Sequence, residues 1–144
     1  MADAHSGLPT KLLLEVVTPE GLLLREEVDH VQAPGELGYF GVLPGHTPFL
    51  STLGMGVIRY DKGPAQYHLT CFWGFCEVLP DRVNILAEAG ERAENIDPDR
   101  AANAKKLAEE NMKRIKDEAG FKEAHLAYVK AVTRLAVARR DRPA

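Results

Sequence analysis

Glycine and proline are so unevenly distributed along this chain that its two parts cannot share one kind of architecture. Eleven of the twelve glycines and seven of the nine prolines precede residue 97. In a helix interior these residues cost about 1 and 3 kcal/mol respectively, so the part before residue 97 must be built from something else. Residues 11–18, 22–33, 50–60, 65–73, 75–79 and 82–88 read as short strands rich in Val, Ile, Leu, Phe and Tyr. Pro-Glu-Gly, Pro-Gly, Asp-Lys-Gly-Pro and Pro-Asp-Arg turns separate them. Many short strands with such turns predict an antiparallel β-sandwich or flattened barrel over about residues 8–90.

From Asp97 the pattern changes. Asp97 is a good helix N-cap, Pro98 suits the first turn, and Asp99 suits the positive end of the helix dipole. Ala101, Ala104, Ala108, Met112, Ile115 and Ala119 then recur at three- and four-residue steps as one amphipathic stripe. Gly120 reads as a C-terminal cap. A second helix follows from about Phe121 to Arg139, with Tyr128, Val132, Leu135 and Arg139 at helical spacing. The expected fold is therefore α+β: a sandwich followed by a two-helix hairpin over about 97–140. Alanine-rich stripes let helices approach closely but bury little apolar area, at roughly 0.8 kcal/mol per methylene. Such a hairpin is only marginally fixed on its sandwich, a physical opening for two alternative packings.

Composition narrows the function further. No run of eighteen apolar residues is present, which predicts no helical membrane span and no direct membrane insertion. The segment Met1–Gly7 lacks the pattern of a signal or transit peptide, which predicts a bacterial-type cytoplasmic compartment. Cys71 and Cys76 are five apart in an aromatic strand pattern, a spacing that sends strand side chains to opposite faces. They are expected to be buried, reduced thiols rather than a disulfide or a metal site. The net charge of −3 conceals a division: residues 1–96 carry −7, residues 97–120 are neutral and residues 121–144 carry +4. An acidic body and a basic end can meet different partners. The basic end has no aromatic interleaving, which argues against nucleic acid.

The most constrained segment is Gly38-Tyr-Phe-Gly-Val-Leu-Pro-Gly-His46, where three glycines and a proline stand among large apolar residues. Pro44-Gly45 is a turn signal, so the loop has a dictated shape. This run, together with Val17-Thr-Pro-Glu-Gly21, Val28-Asp-His-Val31 and Leu53-Gly-Met-Gly-Val57 in the same order, resembles the epsilon subunit of bacterial F-type ATP synthase. The likeness runs from about residue 11 to residue 140. It implies a non-catalytic central-stalk subunit that couples ion translocation to ATP synthesis. The implied partners are the gamma subunit, the membrane rotor ring and, through an extended tail, the alpha and beta subunits of the catalytic head. The implied location is peripheral, at the cytoplasmic face of the bacterial membrane. The extended tail would inhibit ATP hydrolysis, and no cofactor is required.

The resemblance also carries site residues. Ile96-Asp97-Pro98-Asp99-Arg100-Ala101 matches the family's Ile/Leu-Asp-x-x-Arg-Ala pattern, which helps the folded hairpin bind ATP in several bacterial relatives. It implies ATP contacts from Glu91, Asp97, Arg100, Lys130 and Arg134. Lys130 stands where strong binders carry arginine, and Leu107 replaces a basic residue. On the residues alone, Asp97 can equally cap the helix while Arg100 pairs locally. The 38–46 loop would face the rotor ring through Glu36, Tyr39, Phe40 and His46, although Tyr39 stands where many relatives carry an acidic residue. His46 reads as a turn or interface histidine, since His30 and His68 belong to other strands. Lys130, Arg134, Arg139 and Arg140 read either as a solvated basic face or as a clamp for acidic loops. Two other functions fit fragments of the sequence. One is a free-standing ATP-sensing module built on Asp97 and Arg100. The other is a small metalloenzyme, which would need His30, His46 and His68 to converge.

Overall fold

The computed structural model describes residues 7–140; the N-terminal segment read above and residues 141–144 lie outside the described residues. Seven strands form one sheet: β1 (Leu12–Thr18), β2 (Gly21–Val28), β3 (His30–Gly35), β4 (Gly38–Val42), β5 (Phe49–Lys62), β6 (Ala65–Leu79) and β7 (Arg82–Ala89). Their lateral order is β2-β1-β7-β6-β5-β3-β4. The sheet curls over so that β2 meets β5, where Lys62 Nζ donates to Glu26 Oε2 at 2.9 Å. Leu12, Leu14 and Val16 of β1 alternate inward to meet Val31 and Ala33 of β3 in one core. Each such Leu or Val contributes roughly 1.5–3 kcal/mol by leaving water. A 3-10 turn (Ala93–Asn95) then leads into helices α1 (Pro98–Arg114) and α2 (Glu118–Arg140). The α+β expectation, with a β-sandwich and a helical hairpin, holds.

Several local readings are corrected. The pairing is antiparallel except between β1 and β7, which run parallel and join the first strand to the last. Residues 22–33 are two strands, because the chain turns at Asp29, whose carboxylate accepts from Lys11 and from the amide of Gly63. Residues 65–79 are one strand; Gly74 twists it without ending it. Half of the 38–46 loop is β4, a hairpin partner of β3. The other half is a tight turn: His46 N donates to Leu43 O at 3.1 Å and Gly45 has φ 85°. Proline followed by a left-handed glycine is the type II arrangement. Gly45 N also donates to Pro80 O at 2.7 Å, tying this turn to the β6–β7 connection.

Cys71 and Cys76 both point into the core, against the parity expected of an odd spacing. Trp73 (φ 62°) and Gly74 (φ 147°) lie between them and shift the alternation by one residue. Both cysteines are free, and burial pushes each thiol up to about 12.

In the hairpin, Asp97 caps α1, accepting from Asp99 N at 3.0 Å and Arg100 N at 3.3 Å. Lys113 and Arg114 complement the dipole at its other end. Gly120 is not the cap of α1, which ends at Arg114 with Ile115 N bonded to Asn111 O. It belongs to the first turn of α2, where Asp117 accepts its amide at 2.8 Å. A Cβ there would lie 2.5 Å from Ile115 Cγ2, so glycine serves the close approach of the two helices. The buried faces also differ from the expected stripes. Ala101, Ala108 and Leu135 are buried as expected, but Ala104, Ala119, Val132 and Arg139 are exposed, and Ala124, Ala131 and Ala138 are buried instead. On α2, alanine fills half of the buried positions beside Thr133, Leu135 and Val137, and Tyr128 and Val132 fill none.

Candidate functional site between the hairpin and the sandwich

Only α2 of the hairpin packs substantially on the sheet, against β5 and β6, and α1 packs on α2. Ile96, Val137 and Ala138 meet Val57 and Ala93 to form a small second core. Next to it opens a cavity of about 290 Å³ lined by Glu91, Asn95, Ile96, Asp97, Arg100, Ala101, Ala104, Ala131 and Arg134. That volume stands at the lower end of the roughly 300–1,000 Å³ range of small-molecule sites.

Each polar group arrives by a separate route. Glu91 follows β7, and β6 fixes its backbone: Thr70 N donates to Glu91 O at 3.0 Å, and Glu91 N donates to Thr70 Oγ1 at 2.8 Å. The Glu91 carboxylate accepts from Arg134 Nε at 2.5 Å. Arg134 is further held by Phe72, whose ring lies 5.1 Å below its guanidinium carbon. Both partners of this ion pair are 35% exposed, so it contributes on the order of 1 kcal/mol or less.

Asp97 spends its carboxylate on the helix amides, which leaves fewer free donors at this helix end to meet an anion. Any phosphate chemistry therefore falls to the guanidinium groups. Arg100 is exposed, and its side chain has no carboxylate partner among the described residues, contrary to the expected local pairing. One paired arginine and one unpaired arginine thus flank a carboxylate-rimmed cavity.

Four of the five residues expected to contact a nucleotide line this cavity. Lys130 does not; its ammonium lies over the rings of Phe72 and Trp73, at 5.7 and 5.5 Å. Asn95 and the anchoring Thr70 were not foreseen, and no local motif marks either. Leu107 is exposed on α1 and outside the cavity. The four basic residues of α2 expected to form a clamp do not share one surface here: Lys130 and Arg134 turn to the sheet, while Arg139 and Arg140 are exposed.

The loop residues gather on the side of the sheet formed by β5, β3 and β4. Glu36 accepts from Thr52 Oγ1 at 2.8 Å, and Tyr39 Oη accepts from Val57 N at 3.1 Å. Phe40 packs edge-on to Phe49 at 5.2 Å, and His46 Nδ1 lies 2.6 Å from Thr47 O. Leu37, Tyr39, Phe49, Leu50 and Phe75 line an apolar groove of about 630 Å³ there. His30 lies against Asp61 and Arg59, and among the described residues no three His, Cys, Asp or Glu side chains gather as a metal site.

Residues 11–93 match the family described as ATP synthase, delta/epsilon chain, beta-sandwich domain. Residues 94–139 match its companion, the long alpha-helix domain. The chain belongs to the ATP synthase delta/epsilon family. Its relatives within this family include the ATP synthase epsilon chain of Nitratidesulfovibrio vulgaris, 46% identical over 88% of this chain and 94% of that one. That of Syntrophobacter fumaroxidans is 48% identical over 89% and 96%. The family fold also appears in the Euglena gracilis mitochondrial ATP synthase OSCP/F1/c-ring structure. A chain there superposes with a TM-score of 0.79 at 21% identity, covering 96% of this chain and 88% of that one.

Proposed function

We propose that this chain is the epsilon subunit of an F-type ATP synthase, a non-catalytic part of the central stalk. In this reading it helps couple ion translocation to ATP synthesis, peripherally at the cytoplasmic face of the membrane. The observation that carries the reading is the family match across both halves of the chain, from residue 11 to residue 139. The sandwich attaches to the gamma subunit and the rotor ring. The ring contact uses the groove end of the sheet, where Leu37, Tyr39, Leu43 and Leu50 are each more than half exposed. Large apolar side chains exposed together are a recognised mark of interaction surfaces. Glu36 and His46 flank that surface and hold its loops through Thr52 and Thr47.

The hairpin is the regulatory part. Its docking buries Val137, Ile96 and Leu135 but otherwise mostly alanine, so it is stabilised by only a few kcal/mol. In the docked position MgATP occupies the cavity, with Arg100 and Arg134 toward the phosphates and Glu91 and Asp97 at its polar rim. Released, α2 presents Lys130, Arg134, Arg139 and Arg140 to acidic loops of the alpha and beta subunits and inhibits hydrolysis.

Calorimetric titration of the isolated chain with MgATP tests the first half of this regulation. Binding in the micromolar to low-millimolar range, abolished by Arg100→Ala, is the expected result; no heat with either chain would reduce Asp97 and Arg100 to structural roles. For the second half, Arg134→Ala with Arg139→Ala in reconstituted enzyme should relieve inhibition. An unchanged ATPase rate in an intact assembly would sink the clamp.

A further inference from the structure

Strand β6 carries an irregularity that the cavity chemistry does not use. Trp73 and Gly74 have φ of 62° and 147°, two successive left-handed residues inside a strand paired on both sides. A bulky aromatic residue at positive φ is a genuine outlier. Such conformations persist only where their surroundings over-determine them, and they cluster at functional and switch regions.

The consequence is a local loss of alternation. Adjacent residues of a regular strand project from opposite faces, so one cation could not lie against both rings. Here Lys130 Nζ lies 5.7 Å from the centroid of Phe72 and 5.5 Å from that of Trp73. One helical turn further on, the Arg134 guanidinium lies 5.1 Å from the Phe72 ring. Phe72 is 1% exposed. Half of the buried positions of α2 are alanine, at Ala124, Ala131 and Ala138. Two rings side by side under two cations supply attraction that an alanine stripe cannot.

We propose that the Phe72–Trp73 step is the latch that holds α2 on the sandwich, with Lys130 as its bolt and Arg134 as its second point of closure. Lys130 is on this account a docking residue and not a nucleotide contact. A consequence, resting on the two-position reading of the hairpin given above, is that latch and clamp exclude one another. While the hairpin is docked, Lys130 lies over the rings and Arg134 is held by Phe72 and Glu91, so neither is available to an acidic partner.

Hydrogen exchange of the full chain, without nucleotide or other subunits, tests the latch directly. Lys130→Gln keeps a polar side chain of similar reach but removes the charge. It should speed exchange in α2 about fivefold. It should also raise acrylamide quenching of Trp73, the single tryptophan, and leave β1 and β7 unchanged. Lys130→Arg, which keeps the cation, should restore the original rate. Exchange at the original rate in Lys130→Gln would overturn the proposal, as would Lys130→Arg exchanging as fast as Lys130→Gln. Because this assay reads docking and the ATPase assay reads inhibition, latch and clamp fail independently.

Discussion

Replacing Gly74 by alanine probes the seam between β6 and β7. An added Cβ would stand 2.0 Å from the carbonyl oxygen of Leu86 and 2.9 Å from Ala87 Cα. Carbon and carbonyl oxygen ordinarily approach no closer than about 3.3 Å. The obstacle is backbone rather than a flexible side-chain end, so the strands must part by roughly 1 Å. They would part inside a ladder that pairs Gly74 with Leu53 on one side and Ala87 on the other. Forcing a side chain into φ 147° adds about 1–3 kcal/mol of backbone strain, and overpacking adds a similar amount. The expected loss is about 3–5 kcal/mol, a large share of the roughly 5–15 kcal/mol that stabilises a domain. With a urea m-value of about 2 kcal/mol/M, the unfolding midpoint should fall by about 2 M. Far-UV circular dichroism in urea reads this directly. Gly54→Ala is the control, because a Cβ there meets nothing within 4 Å. A Gly74→Ala midpoint indistinguishable from that of Gly54→Ala would refute the steric reasoning and the strand geometry behind it.

Asp97→Ala removes the acceptor for two amides of α1 and should lower hairpin stability by about 1 kcal/mol, with Asp97→Asn recovering most of it; thermal melting of the helical signal reads both. Cys71 and Cys76, with thiols held up at about 12 by burial, should be ionised to roughly one part in ten thousand at pH 8. A thiol reagent should therefore label the native chain far more slowly than the urea-unfolded chain, and equal rates would mean the core is open. The hydrogen bond from Lys11, followed by that from the Gly63 amide, holds the Asp29 carboxyl below the usual carboxylate range. A depressed folded value means its stabilisation is complete above the ordinary value near about pH 4 and is lost as pH falls through the folded value. The stability difference between the natural chain and Asp29→Asn should therefore shrink on acidification below that point, and a gap constant from pH 6 to pH 2 would contradict the pairing.

Elements were legible in this sequence where a local signal coincided with the physical cause. Asp97-Pro98 announced a helix start because the capping oxygen, the missing proline amide and the helix amides all belong to neighbouring residues. The division at residue 97 was legible for the same reason. What escaped was decided by distant partners. Asp29 breaks a run of strand-forming residues because Lys11 and Gly63 meet it there. Gly74 looked like a strand end, yet two flanking strands carry the ladder through it. The parity of Cys71 and Cys76 followed from the φ of Trp73, which no propensity assigns to tryptophan. In the cavity, Glu91 and Arg134 lie 43 positions apart in sequence, and only the family pattern suggested both. Family likeness also suggested Lys130, which faces the aromatic rings instead.

The parallel pairing of β1 with β7 sets an order of events during synthesis. Leu14 and Val16 take up their register against Val83 and Ile85, so the first strand made must wait for the last strand of the sheet. Contacts of such sequence separation make this half of the chain intrinsically slow to fold. The helices, made afterwards, arrive at a sheet whose first and last strands are already paired, and they contribute none of its strands. Shortening the chain from its C-terminal end should thus leave the sheet foldable down to about residue 90, whereas trimming β1 should strip β7 of one of its two partners, cut β2 off from the sheet and lose the whole domain.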